Sequence, residues 1–335
     1  MIASTTVARW TWGRHNHPGE EISACFHELF TAWSVLVKNR LVTGTPKVSA
    51  LVSEAGRANS YLFEGHFEPD SMDLEVAQSL AMQVGASLLP GRIGSAYAHI
   101  EACGIIVDGA HEIHQDKTFL LGSTAFLDYV STDLATYADA WMPYDLKGRA
   151  QPRIHAANAP RLAATLTGLS QVLRSETDPD DPTHFGQPTE TGVDNLFKDD
   201  GTPWDVWSSF EIPYRHDQFT HAPGFGRIGY RRSVDGEVEY VPVLGKHGLL
   251  GYLWASDTEN AASFEPRDVG DDDTYGAGLR WLERLRSAHD EGLTPSQALR
   301  RLAGLPDEDG TGVIDTSAPP RRTRLDALRD RAARP

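Results

Sequence analysis

The sequence is poor in cysteine and lysine, and it has no apolar run long enough to span a membrane. Its two cysteines, Cys25 and Cys103, lie far apart in apolar surroundings, with no CxxC spacing and no histidine cluster near either. That excludes a disulfide framework or a zinc ribbon and predicts two buried free thiols, compatible with a reducing cytosol. Without about 20 consecutive apolar residues a transmembrane helix is not expected. Residues 1–10 lack a basic stretch followed by an apolar core and a small-residue cleavage site, so export is not expected and a cytoplasmic location is. Catalytic signatures are missing too. There is no Gly-x-Ser-x-Gly elbow and no cysteine nucleophile in a histidine context, and the glycines at 224, 226, 245, 248 and 251 lack the strand, loop and helix order of a phosphate cradle. No cofactor motif is recognisable, and the expectation is binding without chemistry.

Hydrophobic residues at 40% and charged residues at 23% are ordinary values, which predicts a folded core and not a disordered chain. At 335 residues the chain exceeds one unit of usual size, and two domains are expected. The formal net charge is −16, and only six of the 31 basic residues are lysines. The last 17 residues hold six arginines against Asp326 and Asp330, a balance of +4, so the rest carries −20. Such a body repels nucleic-acid phosphates and attracts a basic partner. The plainer meaning of the charge is solubility.

Apolar residues Ile22, Phe26, Leu29, Phe30, Trp33, Leu36 and Val37 recur at helical spacing, which predicts an amphipathic helix over 22–37 packed on a sheet. Strands are expected at 48–53, 60–67, 95–107 and 118–129, with a helix over 72–88 and a turn at Asp108-Gly109. A helix is expected from Asn158, with Asn158 as its cap and Pro160 in its first turn. It should end before the acidic, proline-punctuated stretch from Ser175 to Pro182. Further on, strands are expected at 225–231, 237–243 and 248–256, the first two forming a hairpin and the last buried on both faces. A helix carrying Leu279, Leu282, Leu285 and Ala288 should stop at Gly292, and another should start at the Thr294-Pro295 cap. These elements predict an α+β fold of two mixed domains, each a mainly antiparallel sheet with helices packed on it. The expected organisation is an N-terminal α+β domain over 1–177, an acidic connector over 178–200, a C-terminal α+β domain over 201–306 and a mobile basic tail over 307–335.

Several polar clusters invite a chemical role. His111 and His114 are three apart after a turn, where the zinc-binding helix motif needs four, so a metal site is not expected there. His15 and His17 have no second ligand set. His216, Asp217 and His221 could serve as acid and base groups of a hydrolase or nucleotide-modifying enzyme, although a five-residue spacing suits neither a helix face nor a strand face. The carboxylates Asp178, Asp180 and Asp181, and Asp271, Asp272 and Asp273 after Asp268, lack the calcium-loop pattern. They are candidates for pairing with a partner's arginines, set against the simpler role of solvated charge. Trp204, Trp207, Phe210 and Tyr214 gather aromatic area near two prolines. Of these, Trp204, Trp207 and Tyr214 are candidate interface anchors, the competing role being the core of the second domain.

The stretch Glu239-Tyr240-Val241-Pro242-Val243, the strand Gly248-Leu249-Leu250-Gly251-Tyr252-Leu253-Trp254-Ala255-Ser256 and the following Ala261-Ala262-Ser263-Phe264-Glu265-Pro266-Arg267 resemble immunity proteins of bacterial polymorphic toxin systems. So does the helix pair marked by Trp281-Leu282-Glu283-Arg284-Leu285 and Gly292-Leu293-Thr294-Pro295-Ser296-Gln297-Ala298-Leu299. The resemblance covers the C-terminal third. It implies a protein that binds a cognate toxin and occludes its active site without chemistry, the partner being a toxin with a basic surface and not a nucleic acid or a membrane. An enzyme, or a structural component of a larger assembly attached through the basic tail, are the competing classes.

Overall fold

The computed structural model describes residues 1–57, 59–226, 234–308 and 310–333. The fold is α+β, with mostly antiparallel sheets. The chain divides into two units, Met1–Ser208 and Ser209–Pro335.

The first unit contains β1 (Ala8–His15), α1 (Glu21–Lys38), β2 (Val48–Glu54), β3 (Tyr61–Phe67), α2 (Leu74–Ala86), β4 (Ile93–Asp108), β5 (His111–Phe126), β6 (Tyr129–Thr136), α3 (Pro152–Leu173), β7 (Asp178–Pro179), β8 (Gln187–Thr189) and β9 (Gly192–Asp194). Its main sheet has seven strands in the order β3-β2-β4-β5-β6-β1-β7. Strand alternation decides what each face carries. Ala96, Ala98, Ile100 and Ala102 of β4, Leu121 and Ala125 of β5, and Trp10 and Trp12 of β1 are buried on one face. The predicted stripe of α1 covers that face, with Phe26, Leu29, Phe30, Trp33 and Leu36 all buried. Each such side chain contributes about 1.5–3 kcal/mol relative to exposure.

Two expectations change here. The third helix starts at Pro152, with Pro160 inside it. Asn158 is not its cap: the buried side chain accepts from Val107 N at 2.9 Å and donates to Val107 O at 2.8 Å, pinning the helix to β4. Residues 178–200 are no free connector. Asp178 and Pro179 pair with Thr11 and Trp10 at the sheet edge, the Thr183 hydroxyl donates to Val7 O at 2.8 Å, and Trp10 Nε1 donates to Thr189 O at 2.7 Å. Proline ends a helix but is admitted on an edge strand, and this stretch uses that tolerance.

A π-helical turn, Trp207–Glu211, crosses the unit boundary and leads into α4 (Ile212–Gln218). The second unit continues with β10 (Glu237–Gly245), β11 (Gly248–Ser256), β12 (Ala261–Pro266), α5 (Asp272–Asp290), α6 (Pro295–Leu302), β13 (Val313–Ile314), β14 (Arg321–Arg324) and α7 (Leu325–Ala332). Strands run β12-β11-β10-β13, and β14 also pairs with β10. Val241, Val243, Leu253 and Phe264 pack with Trp281, Leu285 and Leu299 of α5 and α6. Val238, Tyr240 and Trp254 pack with Leu325, Leu328 and Ala332 of α7. The sheet is therefore covered twice, which accounts for the apolar run of β11. The capping box at Thr294 and Gln297 forms as its spacing predicts.

The basic C-terminal segment, expected as a mobile tail over 307–335, forms β13, β14 and α7 among its described residues. Leu325, Leu328 and Ala332 form one apolar stripe, while Arg322 and Arg329 face Glu239 and Glu265 at 3.8 and 3.3 Å. The strand expected at 225–231 falls largely on 227–233, outside the described residues.

Candidate functional site

The face of the seven-stranded sheet opposite α1 and α3 carries the second set of alternating side chains, and most of them stay half-exposed. Cross-strand register aligns His66 of β3, Ser49 of β2, His99 of β4, Gly122 of β5, Asp133 of β6, Thr11 of β1 and Asp178 of β7 in one row. The neighbouring row holds Glu64, Leu51, Tyr97, Thr124, Ser131 and Gly13. Polar and ionisable groups thus meet across strands that are distant in sequence.

Gly122 sits where a side chain would collide with its neighbour. A Cβ there would lie 2.6 Å from Asp133 Oδ1, so the carboxylate leans over the bare glycine towards β4. On the far side of Gly122 the rings of Tyr97 and His99 stack, with centroids 5.2 Å apart and planes 23° from parallel. The side chains of Asp133, Tyr97 and His99 make no hydrogen bond among the described residues, and His99 Nδ1 is buried without a partner. Arg9 lies diagonally from Asp133, paired with Ala135 in register, and its Nε is 3.9 Å from Asp180 Oδ2. No ion pair within 4.0 Å reaches Asp133 among the described residues.

The electrostatics follow from that geometry. Burial pushes the Asp133 carboxyl above its ordinary range, the positive charge of Arg9 opposes the shift, and Asp180 adds to it. Burial lowers the His99 imidazole, with Glu101 and Asp133 pulling the other way. Burial, then the Asp133 charge, raises the Tyr97 hydroxyl to about 12. Perturbed groups gathered in one place mark a functional-site candidate on physical grounds. The arrangement can hold a cationic or hydrogen-bond-donating group.

The expected site residues are distributed over both units. In the first, Asp178, Asp180 and Asp181 are exposed at the β7 edge, continuous with the Asp133 row. Trp207 is 3% exposed and belongs to that unit's interior, with Lys147 Nζ 5.6 Å from its ring centroid, whereas Trp204 is 36% exposed. In the second unit Tyr214 is 39% exposed on α4. Asp271 caps α5, accepting from Thr274 N at 2.8 Å, Asp272 pairs with Arg215 at 2.8 Å, and Asp273 is exposed in the first turn.

A cleft of about 510 Å³ in the second unit is lined by His216, Phe219, Thr220, Glu265, Arg267 and Asp268 among others. Beside it, buried Arg215 bonds Glu211 at 2.7 Å and lies 4.5 Å from the Tyr275 ring centroid. His221 contacts the Thr220 hydroxyl at 3.2 Å, but it does not line the cleft with His216. His111 and His114 are exposed on β5 opposite Asp108 and Ile105. Among the described residues no group of three or more His, Cys, Asp or Glu side chains is placed to hold a metal ion. Nor is any helix among them long and apolar enough to cross a membrane.

Tyr97, His99, Gly122 and Asp133 carry no local motif. Their only sequence signal is the polar half of the alternation in β4 and β6, whose meaning depends on pairing through β5. No protein-family model, curated protein or solved structure matches the chain.

Proposed function

We propose that this protein is a non-enzymatic binding protein, an immunity protein that acts in the cytoplasm by binding a cognate bacterial toxin with a basic surface. The observation that carries the reading is the half-exposed sheet face, where the Asp133 carboxylate has no ion pair among the described residues and adjoins Asp178, Asp180 and Asp181 at the β7 edge. A surface of this sign favours encounter with a basic protein and disfavours nucleic acid. Catalysis by oriented acid and base groups finds less support on this face, because His99 and Asp133 have no supporting hydrogen-bond chain.

The test is co-expression with the product of the gene immediately upstream. The expected result is a stoichiometric complex through purification and rescue of cells from that product's toxicity. Failure to neutralise any neighbouring toxin, with a phenotype of its own instead, overturns the reading. The cleft beside His216 supports a second reading, a hydrolase or nucleotide-modifying enzyme. That reading requires an activity lost in His216→Ala with the fold intact.

A further inference from the structure

The unpartnered groups on the open sheet face share one gap. Asp133 leans over Gly122 from one side, and the stacked Tyr97 and His99 rings border it from the other. Adjacent strands lie about 4.8 Å apart, so His99 and Asp133 stand on strands roughly 10 Å apart, and β5 sends up no side chain between them at Gly122, where the Asp133 carboxylate leans in. A buried ring nitrogen without a partner, such as His99 Nδ1, is uncommon in folded proteins, and it borders the same glycine that the Asp133 carboxylate overhangs.

We propose that this gap is a slot for one arginine side chain of the protein partner, with Asp133 taking the guanidinium and the Tyr97 and His99 pair forming its wall. The proposal rests on the binding role argued above and names the contact that role would use. A guanidinium is planar and weakly hydrated, and it donates two parallel N–H bonds to one carboxylate, which suits a single half-buried aspartate beside aromatic rings. Arg9 does not fill the slot, because it lies on the β7 side of Asp133 with its Nε towards Asp180. Its charge opposes an incoming cation, but Asp133, Asp180, Asp178 and Glu101 leave the surroundings negative. Gly122 is needed because any side chain there would displace the carboxylate.

The experiment uses the full chain with labelled histidine, the His99 ring resonances being assigned from a His99→Gln variant, and acetyl-arginine amide as the probe. A saturable shift of the His99 signals is expected, with a dissociation constant on the order of 1–10 mM, as befits one isolated contact. Asp133→Asn should weaken it at least about tenfold, as expected for loss of a charged partner, and Gly122→Ala should weaken it with the thermal transition retained. Acetyl-citrulline amide, of the same shape without the charge, should give no saturable response. Absence of a saturable shift at about 100 mM arginine amide, an unchanged response in Asp133→Asn, or an equal response to citrulline amide overturns the slot. The two proposals fail separately. Probe binding with no toxin neutralised upholds the slot chemistry and overturns the toxin reading. A toxin that binds wild type and Asp133→Asn equally, with no response to the probe, overturns the slot and leaves the toxin reading standing.

Discussion

At the scale of single residues, the binding role proposed for Asp133 works against stability. Folding raises its pKa through burial, and a carboxyl with a raised pKa contributes fully to stability only below its unfolded value of about 3.9. That contribution is lost as pH rises through the folded value, so at neutral pH the ionised side chain opposes folding. Asp133→Asn should raise the thermal midpoint at pH 7 by about 2–4 °C, the shift that ~1 kcal/mol produces in a unit of this size. The gain should shrink as pH falls towards 4, approximately the unfolded carboxylate value. Paired thermal scans at the two pH values check the sign, and a lower midpoint at pH 7 would refute it. Cys25 offers a second residue-scale outcome. Its buried thiol donates to Ser123 O at 3.1 Å, and burial pushes its pKa up to about 12. Native protein at pH 8 should therefore leave Cys25 unmodified by iodoacetamide over hours, while urea-unfolded protein reacts within minutes. Mass spectrometry of peptides containing residue 25 distinguishes the two.

At the scale of elements, the segment most unlike its sequence appearance is α7. Its buried Leu328 packs with Trp254, Tyr240 and Val238, so Leu328→Ala should cost about 2–5 kcal/mol and lower the urea midpoint of the second unit. An unchanged midpoint would mean that α7 is no part of that core. Local periodicity made some elements legible and left others hidden. In α1 seven apolar residues repeat at helical spacing, and the helix buries six of them on one side, leaving Val37 exposed. In α7 three apolar residues are scattered among arginines and aspartates, and the stripe acquires its meaning only from the sheet face that it covers. The prolines near residue 180 were a sound sign that a helix ends. They say nothing about whether the chain then leaves the domain or returns to its edge, as it does by pairing with Thr11 and Trp10. The Asp133 gap was hidden for a related reason. His99, Gly122 and Asp133 become neighbours through the registers of β4, β5 and β6, and long-range register depends on the whole hydrophobic pattern and not on nearby residues.

At the scale of the molecule, the charge ledger differs from its linear appearance. Among the described C-terminal arginines, Arg322 and Arg329 face Glu239 and Glu265 of their own unit, so part of the positive charge is engaged internally. The carboxylates at the β7 edge are exposed, and the basic partner proposed above would be attracted by them from a distance. Long-range attraction acts mainly on the rate of encounter and is screened by salt within a Debye length of about 10 Å at 0.1 M. Contacts made after docking act mainly on the rate of escape. The two acidic features of the first unit should therefore separate kinetically. Neutralising Asp178, Asp180 and Asp181 to asparagine should lower the association rate by about three- to tenfold at low ionic strength, with the difference fading at high salt. Asp133→Asn should leave association nearly unchanged and speed dissociation by at least about tenfold, because its carboxylate is half-buried and touches only a docked group. Stopped-flow or surface-based kinetics with the neutralised toxin, across roughly 20–300 mM salt, resolve both effects. A salt-independent association rate would show that the −16 net charge serves solubility alone, and the face would then have to act through short-range contacts.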